Sequence, residues 1–120
     1  MNEIENILKE KPIVLPRYLF NYYLRLVITP EELIILIFIM DKGNKVIYNP
    51  LELSEELGMD KFKVMELLNS LNEKKIISIT VEKENNKSEE YISLELLYKK
   101  IANILIDKKE DKTLDNSDIF

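Results

Sequence analysis

One stretch of the chain limits its possible folds more than any other. It reads LSEELGMDKFKVMELLNSLNEKKIISITVEK, from Leu53 to Lys83. Gly58 is suited to end a first helix, and Asp60 is suited to cap a second helix that runs from Lys61 to Lys74. The apolar residues of this second helix recur at helical spacing and are expected to face inward: Val64, Leu67, Leu68 and Leu71. The stretch predicts two helices joined by a tight turn and followed by strands, which is the order of a helix-turn-helix that continues into a β-wing.

The residues on both sides of this stretch complete the pattern. In TPEELIILIFIMDKG, Thr29 and Glu32 have the spacing of a capping box around Pro30, and Gly43 suits the end of the helix. KVIY is a short predicted strand, and Asn49 is suited to cap the helix that follows. The strands KKIISITVEK and EEYISL are joined by the polar tip ENNKS, and ELLYKKIANILI is the final predicted helix. The fold class predicted is α+β, a winged helix-turn-helix with a C-terminal helix.

The first 28 residues predict a helix-strand-helix extension of this core. NEIENILKE has helical spacing, and KPIVLP is expected to be extended because proline disfavours helix at the preceding residue. RYLFNYYLRLVI is a predicted helix with apolar residues on nearly all sides, so it needs cover on nearly all sides. In so small a domain, a second copy of the chain is the expected cover. We therefore divide the chain into the N-terminal extension (residues 1–28), the winged-helix core with its C-terminal helix (29–106) and a polar linker (107–120).

Composition excludes several classes of function. The chain of 120 residues contains no cysteine and no histidine, which removes disulfides, thiol nucleophiles and imidazole chemistry. We expect a cytoplasmic protein, since there is no secretory signal and the most apolar run, LIILIFIM, is far shorter than the roughly 20 residues of a membrane span. The carboxylate pairs of the sequence are neighbours that point in different directions, and two glycines do not make a phosphate-binding loop. We expect no enzyme, no metal and no cofactor.

The charge of the helix-turn-helix leaves its role open. A DNA-binding version would place four polar residues near the groove, Lys61, Lys63, Asn69 and Lys74, with Lys83 and Lys87 of the wing near phosphates. Residues 49–93, however, hold ten acidic and six basic side chains, and the whole chain carries a net charge of −5. Affinity for DNA tracks the number of phosphates that cations neutralise, so this balance argues against binding of duplex DNA. The other interpretations are a protein-interaction platform and a purely structural domain.

The pattern as a whole resembles a known family. IVLPRYLFNYYLRLVITPEELIILIFI, NPLELSEELGM, LNSLNEKKII and EEYISLELLYKKI together look like the N-terminal domain of DnaD, a bacterial primosome protein that follows the initiator DnaA and helps to bring in the replicative helicase. The likeness covers about Ile13 to Leu105. It implies a winged helix that self-associates as a dimer or tetramer and contacts DnaA and other primosome proteins. It also implies that DNA is bound mainly by a separate C-terminal domain, which is missing here and towards which residues 107–120 would lead.

Candidate site residues follow from the physics and the resemblance together. For self-association they are the strand-edge residues and aromatics of the extension: Ile13, Val14, Tyr18, Phe20, Tyr22 and Tyr23. For a partner such as DnaA they lie on strands that present the outer side of the small sheet and wing: Ile47, Ile79 and Glu90. The alternative function is a winged-helix transcription regulator that binds DNA and dimerises as well.

Overall fold

The computed structural model describes the backbone of residues 2–9 and 12–119 and the side chains of residues 3–7, 9 and 12–107. In chain order its elements are α1 (Asn2–Leu8), α2 (Arg17–Tyr22), α3 (Pro30–Lys42), β1 (Lys45–Ile47), α4 (Pro50–Leu57), α5 (Lys61–Glu73), β2 (Ser78–Glu84), β3 (Lys87–Ser93) and α6 (Glu95–Ile119). Helices α4 and α5 are the predicted helix-turn-helix. The predicted α+β winged helix-turn-helix is confirmed.

The wing is a hairpin within a small antiparallel sheet. The sheet has the order β1-β3-β2, so β3 pairs with both other strands. Asn85 and Asn86 join β2 to β3 and have φ angles of 51° and 68°. Two consecutive residues with positive φ are what a type I′ hairpin turn requires, and asparagine tolerates that conformation better than most residues. The predicted polar tip is thus reduced to these two residues, with the strands extending further than the sequence suggests.

The predicted caps position the three helices of the winged core. Thr29 accepts a hydrogen bond from the backbone N–H of Glu32 at 3.2 Å, and the Glu32 carboxylate accepts one from the N–H of Thr29 at 2.8 Å, which completes the capping box. Asn49 and Asp60 accept bonds from the first turns of α4 and α5 in the same way. Gly58 ends α4 with a φ of 67°, a conformation that favours glycine. These predicted caps are all present.

The core lies between the helices and one face of the sheet. Its fully buried large side chains come from α2, α3, α5, the segment after α5, β3, the junction between β3 and α6, and α6: Leu19, Ile35, Leu36, Ile39, Leu68, Leu71, Ile76, Ile77, Ile92, Leu94 and Leu97. The four residues of α5 predicted to face inward are all buried. Leu19 is the residue through which α2 of the N-terminal extension reaches this core, next to α6.

Two parts of the extension differ from prediction. Helix α2 ends at Tyr22, earlier than expected, because the chain closes it with a helix-ending turn. In that turn the N–H of Ile28 donates to the carbonyl of Tyr23, the N–H of Val27 donates to that of Leu24, and Val27 takes a φ of 59°. Residues 12–16 belong to no helix and to no strand, since no strand of the described residues runs beside them.

The C-terminal helix is longer than predicted. The sequence predicts a helix that ends at Ile106 and a linker over residues 107–120, whereas α6 continues to Ile119. The missing hydrophobic periodicity suggested a linker, but periodicity reports packing and not helix formation itself. No glycine or proline interrupts residues 107–119, and lysine, glutamate and leucine all have good helix propensity. The side chains beyond residue 107 lie outside the described residues.

A partly buried ion pair ties the extension to the winged core. The ammonium group of Lys74, at the end of α5, donates to the carboxylate of Glu32 at 2.6 Å and to the backbone carbonyl of Val27 at 2.7 Å. Glu32 is only 1% exposed, so its charge depends on this partner and on the capping box. One side chain therefore joins α5, the start of α3 and the turn that closes the extension.

We predict that Lys74→Met destabilises the chain by about 2–3 kcal/mol, because it leaves the Glu32 carboxylate buried without its cation. The matched control is Lys42→Met, which removes the exposed ion pairs of Lys42 with Glu52 and Glu56 and is expected to cost less than about 1 kcal/mol. Urea unfolding followed by circular dichroism measures both. Equal losses in the two variants would contradict the role given to Lys74.

The loss of stability in Lys74→Met is predicted to depend on pH. Burial raises the pKa of Glu32, but hydrogen bonds from Lys74, Thr29 and Ser70 outweigh it and hold that pKa below its ordinary value. Such a carboxylate contributes stability above its unfolded pKa of about 4.3, and the contribution is lost as the pH falls through the folded pKa. The difference in free energy of unfolding between the parent and Lys74→Met should be largest at neutral pH and should become smaller in acid. A difference that is constant from neutral pH to about pH 3 would contradict this assignment.

Candidate interaction surfaces

The N-terminal extension concentrates exposed apolar surface. Among the described residues, eight of the fifteen large hydrophobic side chains that are exposed fall between residues 4 and 27: Ile4, Ile7, Ile13, Val14, Leu15, Phe20, Leu24 and Val27. Scattered apolar residues are normal on a surface, but a concentration of them in one short segment favours an interaction site. The segment thus has the composition of a surface that a further protein covers.

The predicted self-association residues divide into an exposed and a half-buried set. Val14 is 68% exposed, Phe20 is 57% exposed and Ile13 is 40% exposed. Tyr18 and Tyr23 are half-buried because they also pack against the core, and Tyr22 is half-buried as well. The structure brings Phe20 and Tyr23 together, with ring centroids 6.4 Å apart. The exposed set offers contact area, while Tyr18 and Tyr23 hold this part of the extension on the core.

The segment before α2 offers backbone as well as side chains. Residues 12–16 are in neither helix nor sheet, and Ile13, Val14 and Leu15 are all exposed. Each of these three residues carries an N–H and a carbonyl that a strand from another molecule can pair with. Pro12 and Pro16 lack an N–H and limit such pairing to the short run between them.

The predicted partner residues do not share one face of the sheet. Ile47 pairs with Tyr91 of β3, whereas Ile79 pairs with the buried Ile92. Since side chains alternate between faces along a strand, Ile79 and Glu90 lie on the same side as Ile92, which faces the core, and Ile47 lies on the opposite side. We call that opposite side the outer face of the sheet. Of the three residues predicted on it, only Ile47 is there; Ile79 is half-buried against the core.

The outer face carries a group that the sequence analysis missed. The ammonium group of Lys45 lies 4.7 Å from the centroid of the Tyr91 ring and also hydrogen bonds to Glu82 of β2. This hydrogen bond is the main cause that raises the pKa of Lys45. Ile47, 54% exposed, lies beside Tyr91. The alternation of EEYISL contained the signal, because a buried Ile92 requires its neighbour Tyr91 to face outward.

The solvent face of α5, which would enter the groove of DNA in a DNA-binding relative, is acidic and aromatic. The residues opposite its buried stripe are Phe62, Glu66, Asn69 and Glu73, all exposed. Two carboxylates face the position where DNA phosphates and base edges would lie, and no cation of the described residues stands in that row. Phe62, 74% exposed, is a further apolar residue that the sequence analysis did not single out.

The four residues considered for DNA contact are not assembled into a basic surface. Lys74 is held by Glu32 and Val27, and Lys63 lies 3.7 Å from Glu31 of α3. Lys61 is exposed but at the flank of α5, and Asn69 stands between the two acids of the solvent face. Cations committed to carboxylates of their own chain neutralise few phosphates.

The described part of the chain forms neither a metal site nor a membrane-spanning helix. Among those residues no cluster of three or more acidic side chains is placed to hold a metal ion. No helix in the same residues has the length and apolar content needed to cross a bilayer. The clefts on the outer face are open and lined by surface residues such as Glu82, Glu89 and Tyr91.

The chain is similar to a known protein family and to a solved structure. The family described as the DnaD N-terminal domain matches residues 15–113. Among solved structures, the crystal structure of the N-terminal domain of DnaD protein from Geobacillus kaustophilus HTA426 is similar, with a TM-score of 0.68 and 21% sequence identity over 94% of this chain and 96% of that chain. At that identity the structural likeness concerns the fold. No curated protein matches the chain.

The acidic solvent face of α5 leads to a prediction about DNA. Labelled duplex, titrated with the chain at roughly 50 and 200 mM salt and followed by fluorescence anisotropy, should show no binding at either salt. The double variant Glu66→Lys, Glu73→Lys should gain weak binding at the lower salt that collapses at the higher salt, because it converts the same face to a basic one. Tight, salt-sensitive binding by the parent chain would contradict this assignment and favour a transcription regulator.

Proposed function

Because the chain belongs to the DnaD N-terminal domain family, we propose that it is a non-enzymatic scaffold that self-associates through residues 3–26 and contacts replication proteins such as DnaA during helicase loading. The family makes it a domain of a bacterial DNA replication protein. The single observation that carries the scaffold assignment is the run of exposed apolar side chains in the N-terminal extension.

The extension has both elements of a self-complementary interface. Exposed Ile13 and Val14 lie on a segment with unpaired backbone, and Phe20 supplies a large stiff side chain on the helix that follows. Pairing of two copies along residues 13–15 would bury apolar side chains and satisfy backbone groups at once. Leu19 and the half-buried tyrosines hold α2 on the core, so the surface is presented by a rigid support.

The charge distribution supports protein contacts over DNA contacts for this domain. The solvent face of α5 carries Glu66 and Glu73, and Lys63 and Lys74 are paired with α3. We propose that DNA is bound chiefly by another part of the whole protein, and that this domain works in the cytoplasm as its assembly module. Self-association then raises the number of partner and DNA sites in one particle, which increases avidity without new contacts.

For DnaA we propose the outer face of the sheet as the contact surface. Ile47 and the Tyr91 ring form an apolar and aromatic centre there, with Lys45 and Glu82 as a polar rim. This arrangement of an aromatic anchor inside a charged border is typical of protein interfaces. Ile79 would act indirectly by holding β2 on the core, and Glu90 lies on the other side of β3.

Charge placed in the extension should break self-association. Val14→Asp should give smaller particles that stay folded, because it buries a carboxylate in the proposed interface. The matched control is Val81→Asp, which makes the same change at a wing residue of similar exposure, 62% against 68% for Val14. Light scattering after gel filtration over a range of concentrations measures the mass. A monomeric parent chain, or equal mass in the parent and Val14→Asp, would contradict the proposal.

The contact with DnaA has its own pair of variants. Ile47→Asp should weaken binding of purified DnaA to the chain by about tenfold or more, as expected for a central interface residue. Leu51→Asp in α4 is the control, since Leu51 is 51% exposed and Ile47 is 54% exposed. Glu90→Lys should have little effect. Loss of binding in the Leu51 or Glu90 variant with full binding by Ile47→Asp would place the contact elsewhere.

A further inference from the structure

A basic cleft lies where the N-terminal extension meets the last helix. It has a volume of about 460 Å³ and is lined by Arg25, Leu26, Val27, Lys74, Lys100, Asn103 and Ile104. Its lining holds three cations and no carboxylate among the described residues, in a chain whose net charge is −5. Lys74 is committed to Glu32, but Arg25 and Lys100 make no ion pair with any residue whose side chain the structure describes. The cleft therefore has two cations available to a ligand.

The backbone of Val27, in the wall of this cleft, is strained, and the valine side chain does not stabilise the fold in return. Its φ of 59° belongs to the left-handed region, where a β-branched residue is a true outlier and where a helix-ending turn usually has glycine. The valine side chain is 70% exposed and does not contribute to the buried core. Glycine would make the same turn more easily, so folding does not explain the side chain. Strained residues of this kind concentrate at ligand-binding positions.

We propose that this cleft binds a short acidic peptide segment of a partner protein, with one apolar side chain of the peptide against Val27 and its carboxylates near Arg25 and Lys100. The apolar part of the lining consists of Leu26, Val27 and Ile104. Charge complementarity selects an acidic ligand. No aromatic side chain of the described residues lines the cleft, whereas single-stranded nucleic acid is usually held by stacking on aromatic rings.

The probe is a fluorescein-labelled peptide with a central leucine between paired glutamates, and the comparison peptide has glutamines in place of the glutamates. Fluorescence anisotropy with the full chain should show binding of the acidic peptide at low ionic strength, weaker binding at about 0.15 M, and no binding of the glutamine peptide. Arg25→Glu and Lys100→Glu should each weaken binding by about fivefold or more, since they replace attraction by repulsion. Lys99 is next to Lys100 in sequence but lines a different cleft, so Lys99→Glu should change the affinity for the acidic peptide by less than twofold.

Val27→Gly separates a role in binding from a role in folding. The variant should unfold at higher urea concentration than the parent, because the strain is removed, and should nevertheless bind the acidic peptide more weakly. Val14→Asp should bind the peptide as the parent does.

Four results would overturn the proposal. They are no binding of the acidic peptide at millimolar concentration, equal binding of the glutamine peptide, undiminished binding by both Arg25→Glu and Lys100→Glu, and undiminished binding by Val27→Gly. Single-stranded DNA that binds more tightly than the peptide and is lost in the same two charge variants would assign the cleft to nucleic acid instead.

Discussion

The packing of the extension against the winged core depends on the contacts of one group, the ammonium group of Lys74. It neutralises the buried Glu32 carboxylate at the start of α3 and holds the carbonyl of Val27 in the turn that closes the N-terminal extension. The capping box around Glu32 and the strained turn at Val27 are thus linked through one side chain. Because the same lysine caps the end of α5, it fixes the extension to the helix-turn-helix.

This link also affects the charge of the helix-turn-helix. Two of the lysines considered for contact with phosphates pair with acids of α3: Lys74 with the buried Glu32, and Lys63 with Glu31 at the surface. What remains on the solvent face of α5 is Phe62, Asn69 and two glutamates. The shape of the winged helix is retained, while the solvent face of α5 carries acidic and not basic side chains. The apolar extension then supplies the surface that a lone helix-turn-helix lacks.

Local signals made most of the fold predictable. The caps at Thr29, Asn49 and Asp60, the turn at Gly58 and the buried stripe of α5 depend on residues close in sequence, and all are present. The failures concern effects that local patterns do not contain. The end of α2 is set by a turn with valine where glycine is expected, and the length of α6 depends on propensity in a segment without a packing pattern.

The candidate sites were less predictable than the fold, for a physical reason. Which face of a strand is buried depends on its register in the sheet, and that register put Ile47 outside and Ile79 inside although both looked equivalent in sequence. Ion pairs between distant helices, such as that of Lys74, have no sequence signal at all. The exposure of apolar residues in the extension could be predicted from the sequence, because a core of this size is too small to cover them all.

The most direct test of the assembly role is hydrogen exchange as a function of protein concentration, read out on peptides covering residues 12–27 and the wing residues 80–90. If two copies pair through the extension, amides of residues 13–15 gain partners on association and should exchange more slowly as concentration rises. The wing, exposed along its whole length, should exchange at the same rate throughout. Exchange in residues 12–27 that is fast and independent of concentration would contradict the account, because it would leave those backbone groups in water at every concentration.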